Sequence, residues 1–149
     1  CLCSPRAVER YLGKISGPLL DRIDLHIEVS SVPYEALSSH RKEETSAQIR
    51  ERVNSARAIQ RQRFEGQPFF CNAHIPAALL QELCPTTEAA NRLLQRAFEG
   101  FGFSARTYGR VLKVARTIAD LDGSEKIDSR HVAEAVQYRT LDRKYWLQK

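Results

Sequence analysis

SARTYGRVLKVARTIADLDG, at residues 104–123, is the stretch that most strongly predicts the fold of this chain. Ser104 is a typical helix N-cap residue, and Gly123 is typical of the position just after a helix ends. Between them, apolar side chains recur every three or four positions, at Tyr108, Val111, Leu112, Ala115, Ile118 and Ala119. This spacing predicts a long amphipathic helix with one face in a core.

Similar signals predict helices on both sides of this stretch. Residues 45–48 read TSAQ, a capping-box pattern that predicts a helix to about Phe64. One further helix is expected between Pro76 and Pro85, and another between Thr86 or Thr87 and Gly102. The last helix is expected to start at Asp128. Residues 38–149 are therefore expected to form a bundle of about five helices.

Residues 24–30, DLHIEVS, follow a different pattern. Leu25, Ile27 and Val29 alternate with polar residues, which predicts a half-buried strand. No second convincing strand is found in the sequence, and a lone strand cannot satisfy its own backbone groups. We therefore expect residues 1–37 to be the end of a sheet-bearing domain whose other strands lie outside this chain. The alternative is that this strand pairs with a second copy.

The composition is that of a globular chain large enough to build a core, with 42% hydrophobic and 28% charged residues. The net charge of +5 favours anionic partners, although a merely solvated basic surface accounts for it equally well. The sequence has no apolar run of roughly 18 residues and no apolar leader region at its start. We therefore expect a cytoplasmic protein without a membrane partner.

The common catalytic motifs are absent from the sequence. It has no GxxxxGK[ST] loop, no HExxH and no GxSxG, and its four histidines are scattered. Cys1 and Cys3 form a CxC pair, but two thiolates cannot complete a tetrahedral zinc site. Either the pair has no role or its partners lie before this chain. By itself the chain is not expected to be an enzyme.

Three groups of arginines are candidates for binding anions. Arg22 lies just before the predicted strand, where its planar fork suits a phosphate; the alternative is an ion pair with Asp21 or Asp24. Arg106 and Arg110 lie near the start of the 104–123 helix, where cations oppose the helix dipole. A bound anion would compensate for them, and a solvated basic face is the alternative.

The third group lies on the helix that starts near residue 46. It consists of Arg50, Arg52, Arg57, Arg61 and Arg63. Such a helix can follow a nucleic-acid backbone, although no aromatic platform for stacked bases is interleaved with it. A freestanding nucleic-acid-binding helical module is therefore an alternative function.

GPLLDRIDLHIEV at residues 17–29 and the 104–123 motif together resemble the magnesium-chelatase-like AAA+ ATPases. With the CxC pair and HVAEAVQYRTLDR at residues 131–143, the similarity is greatest to the ComM-type competence-protein subgroup. The resemblance implies a mainly α chain. Residues 1–37 would be the end of an α/β ATPase core with one strand, and residues 38–149 would be the helical lid.

The resemblance also implies roles for single residues. Arg22 would match the arginine finger, which reaches the γ-phosphate bound by a neighbouring subunit. Arg106 would match the sensor-2 arginine of the lid, acting either in its own subunit or on a neighbour's nucleotide. Cys1 and Cys3 would be the second half of a zinc site whose first half precedes this chain.

For the full-length parent, the resemblance implies an ATPase that uses ATP and Mg²⁺. It would work as a homo-oligomeric ring, expected to be a hexamer, and act on DNA. The alternative within the same family is a magnesium-chelatase motor subunit. ATP and Mg²⁺ are not expected to bind tightly to this chain alone, since the Walker motifs would lie before Cys1. Zinc is not expected to bind tightly either, since the first half of its site would also precede this chain.

Overall fold

The structure is a computed structural model, which describes residues 2–34 and 43–139. Within these ranges the chain is mainly helical and contains no β-sheet. Two single 3-10 turns lie at Asn72–His74 and Ala77–Leu79. The seven α-helices of the described residues are α1 Pro5–Leu12, α2 Gly17–Leu20, α3 Ser46–Arg63, α4 Leu80–Leu83, α5 Glu88–Phe101, α6 Ala105–Leu121 and α7 Ser129–Gln137.

The capping residues place the main helices where the sequence predicted them. Thr45 and Gln48 form the predicted capping box of α3. The side chains of Thr87, Ser104 and Asp128 accept hydrogen bonds from backbone N–H groups at the starts of α5, α6 and α7. Gly102 ends α5 with a φ of 62°, a left-handed conformation that glycine adopts without strain.

Helix α6 is the centre of the bundle. It packs against α3, α7 and the first 3-10 turn, while α5 packs against α7. Its buried apolar residues are Val111, Leu112, Ala115 and Ala119, as the helical spacing predicted. Burying a side chain of the size of Leu112 contributes about 1.5–3 kcal/mol, so this stripe is a major source of stability. The predicted helical bundle and the mainly α fold class are confirmed.

The strand predicted for residues 24–30 is wrong. This stretch belongs to no regular element, and the described residues hold no strand that could pair with it. The His26 N–H instead donates to the Tyr138 carbonyl, 2.9 Å away, just after α7. Leu25 and Ile27 are 48% and 67% exposed. The alternation of apolar residues was real, but a strand forms only where a partner supplies the other half of its hydrogen bonds.

Residues 2–34 contain two helices that were not predicted from the sequence. Ser4 caps α1 and Pro5 occupies its first turn, a combination that signals a helix start. The Gly17-Pro18 turn is the single helical turn α2, capped by Ser16. The expected domain boundary at residues 37 and 38 lies outside the described residues. None of the described helices is both long and apolar enough to cross a bilayer.

Candidate functional site

The candidate site lies where residues 17–26 meet the first turns of α6. Leu20, at the end of α2, is buried and anchors this segment. The next residue, Asp21, accepts a hydrogen bond of 2.8 Å from the Thr107 hydroxyl. Because Thr107 is itself buried at the start of α6, this bond joins the two regions of the chain at a defined point.

The carboxylate of Asp21 lies close to two arginines. The guanidinium of Arg106 lies 3.4 Å from Oδ2, and that of Arg139 lies 3.5 Å from Oδ1. The Thr107 hydrogen bond, followed by the hydrogen bond and charge of Arg106 and the charge of Arg139, holds the pKa of Asp21 below its usual range despite partial burial. Asp21 is therefore ionised at neutral pH.

Asp24 has the same role as Asp21, about one turn further along α6. The Arg110 guanidinium donates both to the Asp24 carboxylate and to the backbone carbonyl of Arg22. The two cations at the start of α6 are thus balanced by two carboxylates from residues 17–26. The sequence predicted that something must balance Arg106 and Arg110, and in this structure Asp21 and Asp24 do so.

The Arg22 side chain takes no part in these pairs. Its side chain is exposed, and its Nη1 donates to the Pro18 carbonyl at 3.0 Å. Among the residues that the structure describes, no ion pair joins Arg22 to Asp21 or Asp24, because both carboxylates face α6. The local ion pair considered from the sequence is therefore wrong for this conformation.

A groove of about 470 Å³ opens beside these pairs, between α4 and α6. Arg106, Arg110 and Lys113 line it together with Asp24. Arg106 is 59% exposed, so its guanidinium is accessible to a ligand. With Asp21 counted as the partner of Arg106, three cations face two carboxylates, and this positive balance suits a phosphate group.

Gly109 allows the groove walls to approach each other closely. A Cβ at this position would lie 3.2 Å from Cδ1 of Leu80, which is tighter than an ordinary contact. Lys113 is tied to the opposite wall, since its Nζ donates to the Ala73 carbonyl at 3.0 Å. The groove is therefore formed by close packing of α6 on residues 73–80.

Two residues of this site were not found from the sequence. Thr107 carried no signal beyond its place after the Ser104 cap. Arg139 follows α7 in a stretch whose structure the sequence did not indicate, yet it is buried, and it reaches back to Asp21 and to the carbonyls of Leu20 and Ile23. Both act through contacts with residues far away in the chain.

The arginines of α3 divide into two sets. Arg52 pairs with Glu44, and Arg63 pairs with buried Asp120. The other three are exposed and form no ion pair with a carboxylate of the described residues. These three are Arg50, Arg57 and Arg61, called the α3 arginine stripe below.

The predicted half-site for zinc has no support in the described residues. Cys1 lies outside them, and Cys3 is exposed. Across residues 2–34 and 43–139, no three or more His, Cys, Asp or Glu side chains gather as a metal would require. Zinc binding by Cys1 and Cys3 stays a prediction from the resemblance.

Two family models match successive parts of the chain. Residues 43–139 match the family model described as magnesium chelatase, subunit ChlI C-terminal, and residues 1–37 match the model described as magnesium chelatase, subunit ChlI. Competence protein ComM of Haemophilus influenzae is 42% identical over 94% of this chain. Uncharacterized protein YifB of Salmonella typhimurium is 39% identical over 95%. The chain spans 27% of the length of each of these relatives.

Proposed function

Because the chain belongs to the magnesium chelatase subunit ChlI C-terminal family, we propose that it is the lid region of a cytoplasmic AAA+ ring ATPase. One observation carries the proposal. Residues 17–26 dock onto α6 with Arg22 exposed, while Arg106 and Arg110 line the adjacent groove. An exposed arginine beside two arginines that line a groove suits contacts with nucleotide phosphates, which we propose lie at the boundary between two subunits of a ring.

In this proposal Arg22 is the arginine finger and acts on a nucleotide held by a neighbouring subunit. Hydrolysis of the γ-phosphate develops charge on its oxygens, and a guanidinium placed there stabilises that charge. Arg22 is free to do so because Asp21 and Asp24 are engaged with α6. Supplying this charge from a second subunit makes hydrolysis depend on assembly of the homo-oligomeric ring, which we propose to be a hexamer.

Arg106 and Arg110 are proposed to contact phosphates as the lid closes. The contact of Arg106 with Asp21 is long and solvent-exposed, so a phosphate can replace the carboxylate at small cost. Bound ATP with Mg²⁺ would supply the reacting γ-phosphoryl group. The Mg²⁺ ligands and the phosphate-binding loop are proposed to lie in the rest of the parent protein.

DNA is the proposed substrate of the parent motor, and the α3 arginine stripe supports it. Arg50, Arg57 and Arg61 are spaced by seven and four residues, so they lie within about 40° of one another around the helix. They span about 16 Å along its axis at about 1.5 Å per residue. Such a row of exposed guanidinium groups suits the repeated phosphates of a nucleic-acid backbone.

The test of the proposed function is ATP hydrolysis by the full-length protein that contains this chain. Arg22→Ala is expected to lower kcat by about 10³–10⁵-fold with ATP binding retained, which is the range for a lost arginine finger. Arg92→Ala is the matched control, because Arg92 is an exposed arginine of α5 that pairs only locally with Glu88. An unchanged rate for Arg22→Ala would overturn the proposal.

The alternative of a nucleic-acid-binding helical module also uses the α3 arginine stripe, but it requires neither Arg22 nor ATP hydrolysis. It expects DNA binding that weakens steeply with salt. On a plot of the logarithm of the binding constant against the logarithm of the salt concentration, the slope should be about −0.9 for each phosphate contact. Fluorescence anisotropy with the Arg50→Ala/Arg57→Ala/Arg61→Ala variant should then show a lower slope. The chelatase alternative instead predicts an ATPase rate that DNA leaves unchanged.

A further inference from the structure

Arg139 is the most deeply placed cation beside the candidate site. It lies just after α7 and is 3% exposed. Its Nη1 donates to the carbonyls of Leu20, at 3.4 Å, and of Ile23, while its Nη2 lies 3.5 Å from the Asp21 carboxylate. One guanidinium therefore binds the backbone on both sides of Arg22.

Two further bonds complete the attachment of this segment. The Arg110 guanidinium donates to the carbonyl of Arg22, at 2.5 Å. The His26 N–H donates to the carbonyl of Tyr138, at 2.9 Å. The backbone from residue 20 to residue 26 is thus held by α6 and by the residues that follow α7, independently of where the Arg22 side chain points.

The Arg22 side chain itself takes no part in this attachment. It is exposed, and its hydrogen bond goes to Pro18, within its own segment. Fixing the backbone in advance removes conformational freedom that would otherwise be lost, at a cost in free energy, when Arg22 engages a ligand. A charged group that is already oriented stabilises a transition state better than one that must first be ordered.

Arg139 and the segment also depend on each other energetically. A guanidinium this deeply buried is stable only where acceptors satisfy it. Leu20, Asp21 and Ile23 supply those acceptors. Detaching the segment would deprive a buried cation of them, so the segment and the helical bundle are expected to move as one unit.

We propose that Arg139 is a positioning residue that fixes the backbone around Arg22 against the helical bundle, so that Arg22 is held in position for the neighbouring nucleotide. This inference rests on the proposed function of Arg22. It adds that the position of the arginine finger depends on contacts with the helical bundle and the residues after it, and that Arg139 makes the central contact.

A double-mutant cycle on ATP hydrolysis by the full-length protein tests this inference. Arg139→Ala is expected to lower kcat by about a hundredfold, the cost of displacing a catalytic group by about 1 Å, with little change in KM for ATP. In an Arg22→Ala background the same substitution is expected to have no further effect, because Arg139 acts through Arg22. Single-turnover measurements with labelled ATP reach the low rates required.

The outcomes separate the inference from the proposed function. If Arg22→Ala lowers the rate but Arg139→Ala does not, or if the two effects simply multiply, the positioning role is overturned while the finger stands. If Arg22→Ala has no effect, the proposed function fails and this inference fails with it. Arg130→Ala is the matched control, since Arg130 is an exposed arginine of α7 that pairs with Asp122 and should leave the rate unchanged.

A conservative variant guards against loss of folding. Lysine keeps the charge of Arg139 but offers a single ammonium in place of the fork, so it cannot bind both carbonyls at once. Arg139→Lys is therefore expected to fold and to show a smaller loss of kcat than Arg139→Ala, again only when Arg22 is present. A folded Arg139→Lys variant with the wild-type rate would overturn the positioning role of the contacts that Arg139 makes with the two carbonyls.

Discussion

The two ends of α6 use the same residue types in opposite ways. At its start, Arg106 and Arg110 are 59% and 26% exposed and pair with carboxylates from a distant segment. Near its end, Arg116 and Asp120 pair with each other and both side chains are fully buried. The start can exchange its partners for a ligand, whereas the end cannot.

The buried pair is the centre of a hydrogen-bonded network. Arg116 donates to Asp120 at 3.0 Å and to the carbonyls of Ser124 and Glu125. Asp120 also accepts from Arg63 of α3 and from Asn72 of the first 3-10 turn. Burial lowers the pKa of Arg116, and the charge of Asp120 opposes that shift. The network therefore joins four regions of the chain without an open position for a ligand.

This comparison shows that an arginine motif alone does not define a binding site. Both ends of α6 lie within one motif, and both carry arginine near a carboxylate. Burial and the number of satisfied donors decide which end contributes stability and which end keeps exposed guanidinium groups. Four predictions test that difference.

The largest effect is expected at the buried end. Asp120→Ala leaves Arg116 and Arg63 without their carboxylate inside the protein, which should lower the free energy of unfolding by about 3–5 kcal/mol. Urea denaturation of this chain, followed by far-UV circular dichroism, measures the loss. A loss below about 1 kcal/mol would show that the two ends of α6 do not differ as described.

A smaller effect is expected from the carboxylate at the start of α6. Asp21→Ala removes the partner of Thr107, Arg106 and Arg139, and should cost about 1–2 kcal/mol. The local consequence should exceed the global one, because amide hydrogens of residues 20–26 lose their attachment. Hydrogen exchange measured by NMR should show faster exchange there, with the core amides of α6 unchanged. Equal acceleration throughout the chain would contradict this prediction.

Acidification should act on the same contact, more weakly than removing Asp21. The pKa of Asp21 is lowered in the folded state by the Thr107 hydrogen bond and the neighbouring arginines. A lowered pKa means that the contribution is fully present above the ordinary carboxyl pKa of about 3.9 and is lost as the pH falls through the folded value. The amide signals of residues 20–24 should therefore shift below about pH 4.

Asp21→Asn is the control for that titration. The variant keeps the shape of the side chain but has no charge to lose, so the shift of the amide signals should disappear. Asp122 and Asp128 also have lowered pKa values, through hydrogen bonds that Ser124 donates to Asp122 and the Ser129 backbone donates to Asp128. A shift that persists in Asp21→Asn would assign the acid sensitivity to such carboxylates instead.

The smallest effect is expected for Asp24. Its pair with Arg110 lies at the surface, with Asp24 52% exposed, so Asp24→Ala should cost less than about 1 kcal/mol. The cost should fall further in about 1 M salt, where the screening length is about 3 Å. Thermal denaturation at low and high salt checks this. A salt-independent loss similar to that of Asp120→Ala would show that the start of α6 is as structural as its end.

The order of these effects also separates stability from function. Substitutions at the buried end should lower the amount of folded protein and leave the kcat of the folded molecules unchanged. If the proposed function holds, substitutions at Arg106 and Arg110 should lower kcat and leave the amount of folded protein unchanged. Measuring both quantities on the same variants therefore tests the comparison directly.

The main helices of residues 43–139 could be predicted from the sequence because their signals are local. Thr45, Thr87, Ser104 and Asp128 cap helices through bonds to residues at most three positions away. The apolar stripe of α6 follows from helical spacing alone. The family resemblance rested on two motifs, and the matches over residues 1–37 and 43–139 confirm it.

The strand at residues 24–30 and the partners of the arginines could not be predicted in the same way. A strand depends on a second strand, and the alternation of Leu25, Ile27 and Val29 contains no information about whether one is present. Arg22 has two neighbouring carboxylates in sequence, yet both face α6 in the structure. Local proximity therefore suggested the wrong ion pair.

The sequence by itself determined the main helices of residues 43–139, because capping and periodicity act over a few residues, and its motifs determined the family. Only the tertiary structure decided which charges are buried, since Asp21 meets Arg106 across 85 positions and Arg139 reaches Leu20 across 119. The physical reason is that hydrogen bonding and desolvation depend on distances in space, which are set by folding. An arginine is therefore structural or available for a ligand according to the groups that surround it.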